Sequence, residues 1–188
     1  MASSQCCDNP PALNPAGGEG KVVDSFGGLK AYVAGSEDAK AAVVLVADEK
    51  GFEDAKPVIA ALKEKGISAI GAAGYCWGAK VVVELAKAHD IQAAVLLHPS
   101  FVAVDDIKEV KCPISILGAE IDKMSPPELV KQFELVLSAN SGVAHFVKIF
   151  PGVSHGWSVR YSLDDAAAVK SAEEALADMI DWFNKNLK

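Results

Sequence analysis

The run GYCWG, from Gly74 to Gly78, constrains the fold of this chain more than any other stretch. It follows the apolar stretch Ile67 to Ala73 and precedes a stretch of helical apolar periodicity that begins at Ala79. This order predicts a strand, a sharp turn and a helix, because the two glycines let strand and helix approach without side-chain clashes. The turn would hold Cys76 in a strained conformation above the sheet edge. The run therefore predicts a nucleophile elbow that carries a thiol.

The position of Cys76 leaves two interpretations open. A cysteine at a helix N-terminus meets the positive end of the helix dipole, which favours the reactive thiolate. Cysteine is also among the most buried residue types, so Cys76 could be a small core residue. The later sequence favours the functional interpretation. A predicted strand ends near Leu117 before a loop with Asp122, and another ends at Phe150 before a loop with His155, which is the α/β-hydrolase order of nucleophile, acid and histidine.

Predicted strands and helices alternate along the chain after an irregular arm over residues 1–20. Alternation of this kind predicts an α/β fold of the α/β-hydrolase type, with a mostly parallel sheet and helices on both faces, in a single domain over residues 21–188. Strands are predicted at Val22–Phe26 and Leu29–Val33 as a hairpin, then at Ala41–Ala47, Ile67–Ala73, Ala93–Leu97, Ile114–Leu117 and Phe146–Phe150. Helices are predicted at Asp54–Lys65, Ala79–Ala88, Pro127–Leu137 and about Leu163–Asn186.

Composition narrows the class of partner. A chain of 188 residues that is 51% hydrophobic can form one domain with a full core. Its net charge of -7 argues against nucleic acid or an anionic membrane as the main partner. The first residues show no basic segment followed by an apolar one, and no apolar run approaches ~18 residues, so neither a signal peptide nor a membrane span is expected. The expected compartment is the cytoplasm.

The four cysteines agree with that compartment. Cys6 and Cys7 are neighbours in the polar arm, Cys112 precedes a strand, and Cys76 lies on the elbow. This arrangement has neither disulfide nor zinc-site spacing, so free thiols and no metal site are expected.

Three motifs together resemble the dienelactone hydrolase family, and closely its grass-plant members. They are the cysteine elbow from Gly74 to Gly78, the acid loop around Asp122, and the segment GVSHGW from Gly152 to Trp157. The resemblance runs from about Cys6 to the C-terminus. It implies a Cys-His-Asp triad in which Cys76 attacks an ester or lactone carbonyl, His155 takes and returns the proton, and Asp122 orients His155. All three groups are side chains, so no metal or organic cofactor is implied.

The resemblance also implies roles for residues beside the triad. The backbone N–H groups of Trp77 and of Lys50, just after Glu49, would hold the oxyanion. Glu49 matches a family glutamate that interacts with the resting thiol. Arg160, shortly after His155, would bind a substrate carboxylate, although its spacing differs by one residue from the bacterial pattern.

The chain departs from the family pattern before the elbow. Relatives have a long segment between the strand ending near Asp48 and the next helix, with one further helix, one further strand and part of the pocket wall. Here Asp48 and Glu49 run straight into Lys50. The sheet is therefore expected to be one strand and one helix shorter. The N-terminal hairpin would lose its neighbour, leaving Tyr32 and Val33 short of packing partners and a strand edge open to association.

Several assignments keep a simpler alternative. Asp122 could cap the helix that begins near Pro126, with Glu120 as a substitute acid. Glu49 and Arg160 could be ordinary loop and surface charges. His98, which follows a buried strand, is expected to be a packed or hydrogen-bonded histidine near the pocket.

Three functions therefore stand at this point. The first is a cysteine-dependent hydrolase of ester or lactone bonds, of the carboxymethylenebutenolidase type, with a small-molecule substrate. The second is a catalytically impaired chain that acts as a binding protein or is partly folded. The third is an endo-1,3;1,4-beta-D-glucanase, the label that plant relatives often carry. Glycoside hydrolysis needs two facing carboxyl groups in an aromatic-rich cleft, and the chain is 7% aromatic with no paired-carboxylate motif.

Overall fold

A computed structural model describes residues 18–47 and 51–188 of the chain. Each predicted strand and helix is present, with shifts of a few residues at its ends. The strands are β1 Lys21–Phe26, β2 Leu29–Val33, β3 Ala41–Val46, β4 Ala69–Tyr75, β5 Ala93–Leu97, β6 Ile114–Ile121 and β7 His145–Ser154. The helices are α1 Phe52–Glu64, α2 Gly78–Ala88, α3 Val104–Lys108, α4 Pro127–Ala139 and α5 Ala166–Asn186.

Five strands form one parallel sheet whose spatial order, β3-β4-β5-β6-β7, follows the chain. Successive right-handed crossovers in one direction place their helices on the same face of a sheet. Residues of α1, α2 and α4 accordingly share one core cluster, which includes Leu62, Leu85 and Phe133. Helix α5 covers the other face with Met179 and Phe183 among its buried residues. The predicted α/β-hydrolase fold with helices on both faces is confirmed.

The N-terminal hairpin forms a sheet of its own. Strands β1 and β2 pair antiparallel with each other, separately from the five-stranded sheet. A Cβ atom at Gly27, in the turn, would meet the backbone of Pro57, so the hairpin tip lies directly against α1. Tyr32 is 55% exposed, and its hydroxyl oxygen accepts the backbone N–H of Gly20 at 2.7 Å. The hairpin is therefore present without a place in the main sheet, as the missing neighbour predicts.

Strand β3 ends the five-stranded sheet on the side of the missing segment. Its residues alternate between half-buried and exposed positions until Val46, which is buried. Val43 and Leu45 are 39% and 61% exposed. An apolar strand that exposes one face to solvent is typical of a sheet edge that has lost a covering element.

Some boundaries differ from the predictions. Helix α1 begins two residues early, because the Asp54 carboxylate accepts the N–H of Gly51 at 3.2 Å and caps its first turn. Strands β6 and β7 run four residues further than predicted, to Ile121 and Ser154. Helix α3 was not predicted, since five residues are too few to show helical periodicity. The predicted irregular arm lies mainly outside the described residues.

Candidate active site

Strand β4 brings Cys76 to the carboxyl edge of the sheet, just before α2. Cys76 has a φ of 53°, in the left-handed region that side chains rarely occupy. A Cβ atom at Gly74 would collide with the backbone of Gly78, and one at Gly78 would collide with the carbonyl oxygen of Val46. Both glycines are therefore needed for the helix to start this close to β3 and β4. The predicted strand, turn and helix are confirmed.

Asp122 comes directly after the last residue of β6. Its side chain is fully buried, and Oδ1 accepts the N–H groups of Met124 at 2.7 Å and Ser125 at 3.1 Å. Burial by itself would raise the pKa of this carboxyl, but its hydrogen bonds, above all with His155, outweigh burial and lower the pKa. The two N–H groups that Asp122 accepts precede helix α4, which starts at Pro127, so the alternative that Asp122 caps this helix is wrong.

His155 follows the last residue of β7 and joins the other two side chains. Its Nδ1 lies 2.7 Å from Asp122 Oδ2, and its Nε2 lies 3.2 Å from Cys76 Sγ. The ring is fully buried, which by itself would lower its pKa. Hydrogen bonds to Asp122 and Cys76 outweigh burial and raise the pKa of His155 to about 9. The site therefore favours an imidazolium between two acceptors at neutral pH.

Ser100 is a further polar neighbour of this group, and the sequence interpretation did not single it out. It is completely buried, three residues beyond β5, and its Oγ lies 3.3 Å from Cys76 Sγ and 3.5 Å from His155 Nε2. The available signal was its position after a buried strand, at the same sheet edge as Cys76. A serine in a loop is too common for that position to identify it.

His98 lies behind His155 and is buried, as expected from the sequence. Its Nε2 is 2.9 Å from Ser158 Oγ, and its ring meets the His155 ring edge-on with the centroids 5.0 Å apart. Burial, with a further contribution from the His155 charge, lowers the pKa of His98 to about 3. A neutral ring therefore stands beside His155, where a second charge would oppose the imidazolium.

The other predicted site residues are less closely grouped. Trp77 is half-buried at the start of α2, and its side chain packs against the core beneath that helix. Arg160 is half-buried in the loop after His155, and its charge contributes to the low pKa of His98, so it lies near the site. Glu49 and Lys50 lie outside the described residues.

Two successive contacts join the Cys76 sulfur to the His155 ring and the His155 ring to the buried Asp122 carboxylate. In such an arrangement the imidazole can take a proton from the thiol, and the carboxylate stabilises the positive charge that forms on the ring. Within residues 18–47 and 51–188, no group of three or more His, Cys, Asp or Glu side chains is placed to bind a metal ion. The same residues contain no helix with the length and apolar character needed to cross a membrane.

Comparison with known proteins identifies a family for this chain. The model of the "Dienelactone hydrolase family" matches residues 47–187. A maize protein named endo-1,3;1,4-beta-D-glucanase is 37% identical over 190 residues, covering 72% of this chain and 62% of that protein. A mouse carboxymethylenebutenolidase homolog is 35% identical over 118 residues, covering 62% of this chain and 48% of that protein. The chain thus spans about half to three fifths of the length of these relatives.

Solved structures share the fold. A Klebsiella pneumoniae protein described as a dienelactone hydrolase superposes with a TM-score of 0.60 at 20% identity, covering 71% of this chain and 60% of that chain. A Thermogutta terrifontis esterase gives a TM-score of 0.53 at 17% identity, with 69% and 64% covered. At such identities the likeness concerns the fold alone.

Proposed function

Since the chain belongs to the dienelactone hydrolase family, we propose that it is a cysteine-dependent hydrolase of ester or lactone bonds in small molecules. The observation that carries this proposal is the line of contacts from Cys76 Sγ through the His155 ring to Asp122, with distances of 3.2 and 2.7 Å. Both distances suit hydrogen bonds of a working nucleophile and base. The names of several relatives, such as "Hydrolase pyvD" of Aspergillus violaceofuscus, agree with hydrolysis.

The reaction would proceed in two halves. The Cys76 thiolate adds to the carbonyl carbon, and the C–O bond to the leaving group then breaks as His155 gives its Nε2 proton to the leaving alkoxide. This leaves a thioester on Cys76. A water molecule next adds to the thioester carbon while His155 takes its proton, and breakage of the C–S bond releases the carboxylic acid product. In both halves Asp122 holds the ring in one orientation and stabilises its positive charge.

The negative oxygen of each tetrahedral intermediate needs donors close to the sulfur. We assign one to the backbone N–H of Trp77, because it immediately follows Cys76 at the start of α2. The N–H of Lys50 is the second proposed donor. Glu49 would interact with the resting thiol, and Arg160 would bind a carboxylate of the substrate, which its half-buried position near His98 supports. The cytoplasmic location stays a prediction.

Glucan hydrolysis, which the name of the maize relative raises, has less support in the geometry. That chemistry needs two carboxyl groups about 5–9.5 Å apart, with the sugar between them. The carboxylate that joins this site, Asp122, is fully buried and engaged on both oxygens. Hydrolysis of mixed-linkage glucan that survives in a Cys76→Ala protein would favour glucan hydrolysis over the thiol mechanism.

An impaired chain that serves as a binding or partly folded protein is the other alternative, and the separate hairpin is the observation that favours it. A broad thermal transition with strong binding of an apolar dye would support it. A sharp, cooperative transition would count against it.

The proposal is tested by release of p-nitrophenol from p-nitrophenyl acetate. The wild-type protein is run beside Cys76→Ala, His155→Ala and the control Cys112→Ala, all with matched melting profiles. Cys112 is the other described cysteine, and burial raises the pKa of its thiol to about 12, which makes it unreactive. We expect activity in the wild type and the control and none in the two site variants. Equal rates in all four proteins would overturn the proposal.

A further inference from the structure

The Ser100 hydroxyl is enclosed by the reacting groups of the proposed site. Its Oγ has no exposure to solvent, so it cannot reach a substrate as a second nucleophile. Its described contacts are with Cys76 Sγ at 3.3 Å and His155 Nε2 at 3.5 Å. The first distance is ordinary for a hydrogen bond to sulfur, whereas the second is long for a bond between oxygen and nitrogen. Either atom of the Ser100–Cys76 pair could donate, and when the Cys76 sulfur is a thiolate the donor is the Ser100 hydroxyl.

The backbone fixes Ser100 relative to the elbow. The N–H of Ser100 donates to the carbonyl oxygen of Cys76 at 2.9 Å, and the N–H of Cys76 donates to the carbonyl oxygen of Leu97 at 3.1 Å. These two hydrogen bonds tie both ends of the segment from Leu97 to Ser100 to the same residue. The hydroxyl therefore keeps its distance from the sulfur without any contribution from the substrate.

We propose that Ser100 is a positioning residue that donates a hydrogen bond to the Cys76 thiolate and holds its sulfur beside His155. This inference rests on the proposed function, because it concerns the same nucleophile. A thiolate with two donors, Ser100 Oγ–H and His155 Nε2–H, is better stabilised than one with a single donor, since hydrogen bonds to charged groups are the strong ones. Among the described residues, the other ionisable groups around the site include His98, which stays neutral, Asp122, which lies behind His155, and Arg160, whose charge acts on His98. Glu49, proposed above to interact with the resting thiol, is unchanged in every variant of the test.

The test follows alkylation of Cys76 by iodoacetamide as a function of pH, read by mass spectrometry on the peptide that contains Cys76. This rate reports the thiolate fraction and needs no esterase activity. In Ser100→Ala we expect the midpoint of the rate profile to rise by about one pH unit and the rate at neutral pH to fall about tenfold. The matched control is Ser115→Ala, because Ser115 is also completely buried and its Oγ makes no hydrogen bond within the described part of the chain. Its midpoint should stay at the wild-type value.

Ser100→Thr separates the hydroxyl from the packing, since it keeps the donor and adds a methyl group. We expect a near-wild-type midpoint in Ser100→Thr. A folded Ser100→Ala protein with an unchanged midpoint, or a folded Ser100→Thr protein with the midpoint of the alanine variant, would overturn the inference. If p-nitrophenyl acetate hydrolysis proves independent of Cys76, the proposed function fails, while the alkylation profiles still decide the role of Ser100.

Discussion

Two parts of this molecule differ in how well their strands are covered. All five residues of β5 are buried, and so are the first six residues of both β4 and β6. In the hairpin β1–β2 no residue is buried, and in β3 only Val46 is. Cys76 and Asp122 come directly after covered strands. Glu49 and Lys50, in contrast, follow the exposed strand β3 in the sequence.

This difference separates the proposed machinery into two parts. The contacts among Cys76, His155 and Asp122 depend on β4, β6 and β7. Strands β4 and β6 have a neighbour on each side, and β7 ends the sheet beside β6, with which it stays paired as far as Ser154. The proposed second oxyanion donor and the thiol-interacting glutamate follow β3, the strand at the open edge. A chain can therefore keep its proton-transfer groups in place while the strand that precedes the proposed second donor is exposed. The following predictions test this division.

The largest effect is expected at Asp122. Replacing Asp122 by Asn puts an amide where a charged acceptor meets His155 Nδ1, so the ring loses its orientation and the stabilisation of its charge. We expect kcat/KM for p-nitrophenyl acetate to fall about 10²–10⁴-fold. The measurement is the initial rate at several substrate concentrations, with the melting profile as a check of folding.

Glu120 provides the matched control for Asp122. It lies two residues earlier on β6 and accepts the N–H of Gly152 at 2.6 Å, away from the His155 ring. Glu120→Gln should change the rate by less than about twofold. Equal losses in Glu120→Gln and Asp122→Asn would show that the β6 loop acts through its conformation and that Asp122 has no special role.

Two leucines compare the strands directly. Leu96 of β5 is completely buried, and Leu45 of β3 is 61% exposed. Leu96→Ala should lower the free energy of unfolding by about 2–5 kcal/mol, because it leaves a cavity in the core. Leu45→Ala should change it by no more than about 0.5 kcal/mol. Urea unfolding followed by circular dichroism gives both values, and similar losses in the two variants would mean that β3 is covered in solution.

The dependence of stability on pH should come from the covered part. The pKa of His155 is about 9 in the folded protein and about 6.5 in an unfolded chain. The contribution of His155 to the free energy of unfolding is therefore complete below about pH 6.5 and is lost as the pH rises through about 9. The free energy of unfolding should decline over this range by an amount on the order of 1–3 kcal/mol. Unfolding in urea between pH 6 and 9.5 measures this slope.

His155→Gln removes the titrating imidazole, so the free energy of unfolding of this variant should change little between about pH 6.5 and 9. At acidic pH the free energy of unfolding should depend on pH in the opposite direction. The lowered pKa values of Asp122 and His98 mean that stability falls as the pH drops, since the unfolded chain then takes up protons that the folded protein does not. An alkaline slope that persists in His155→Gln would assign it to another group.

Much of this division could be predicted from the sequence. The apolar runs of β4, β5 and the start of β6 predicted covered strands, because a strand buried on both faces must be apolar throughout. The valine-rich run Ala41–Ala47 predicted another buried strand, and that prediction is wrong, since only Val46 of β3 is buried. The glycines at 74 and 78 predicted the elbow, because no other residue fits so close to Val46 and Ala79. The order of Asp122 and His155 after successive strands predicted that they meet Cys76, since parallel strands end at one edge.

Other features had no local signal. The contacts of Ser100 depend on two backbone hydrogen bonds between segments that are 24 residues apart. The ends of β6 and β7 were missed because residues such as Gly118 and Pro151 are not typical of strands. The two strands nevertheless stay paired there, through Gly118 with Ile149 and Ile121 with Ser154. Long-range pairing of this kind overrides local preference.

The smallest expected effect concerns association through the open edge. Strand β3 ends the sheet within the described part of the chain, and Val43 and Leu45 remain exposed on it. An uncovered apolar edge can pair with a second copy of the same strand. We expect weak, concentration-dependent self-association in sedimentation velocity, and Leu45→Lys should reduce it, because a charged residue on an edge strand opposes pairing.

Leu135→Lys is the control for this experiment. Leu135 is 69% exposed on α4, far along the chain from β3, so the substitution makes the same change of charge without touching the edge. Reduced association in Leu45→Lys alone would identify β3 as the contact. A wild-type profile that stays monomeric at high concentration would mean that the edge is protected in solution. The exposed part of the molecule would then be better covered than its strand burial indicates, and its proposed contribution to the oxyanion site would gain support.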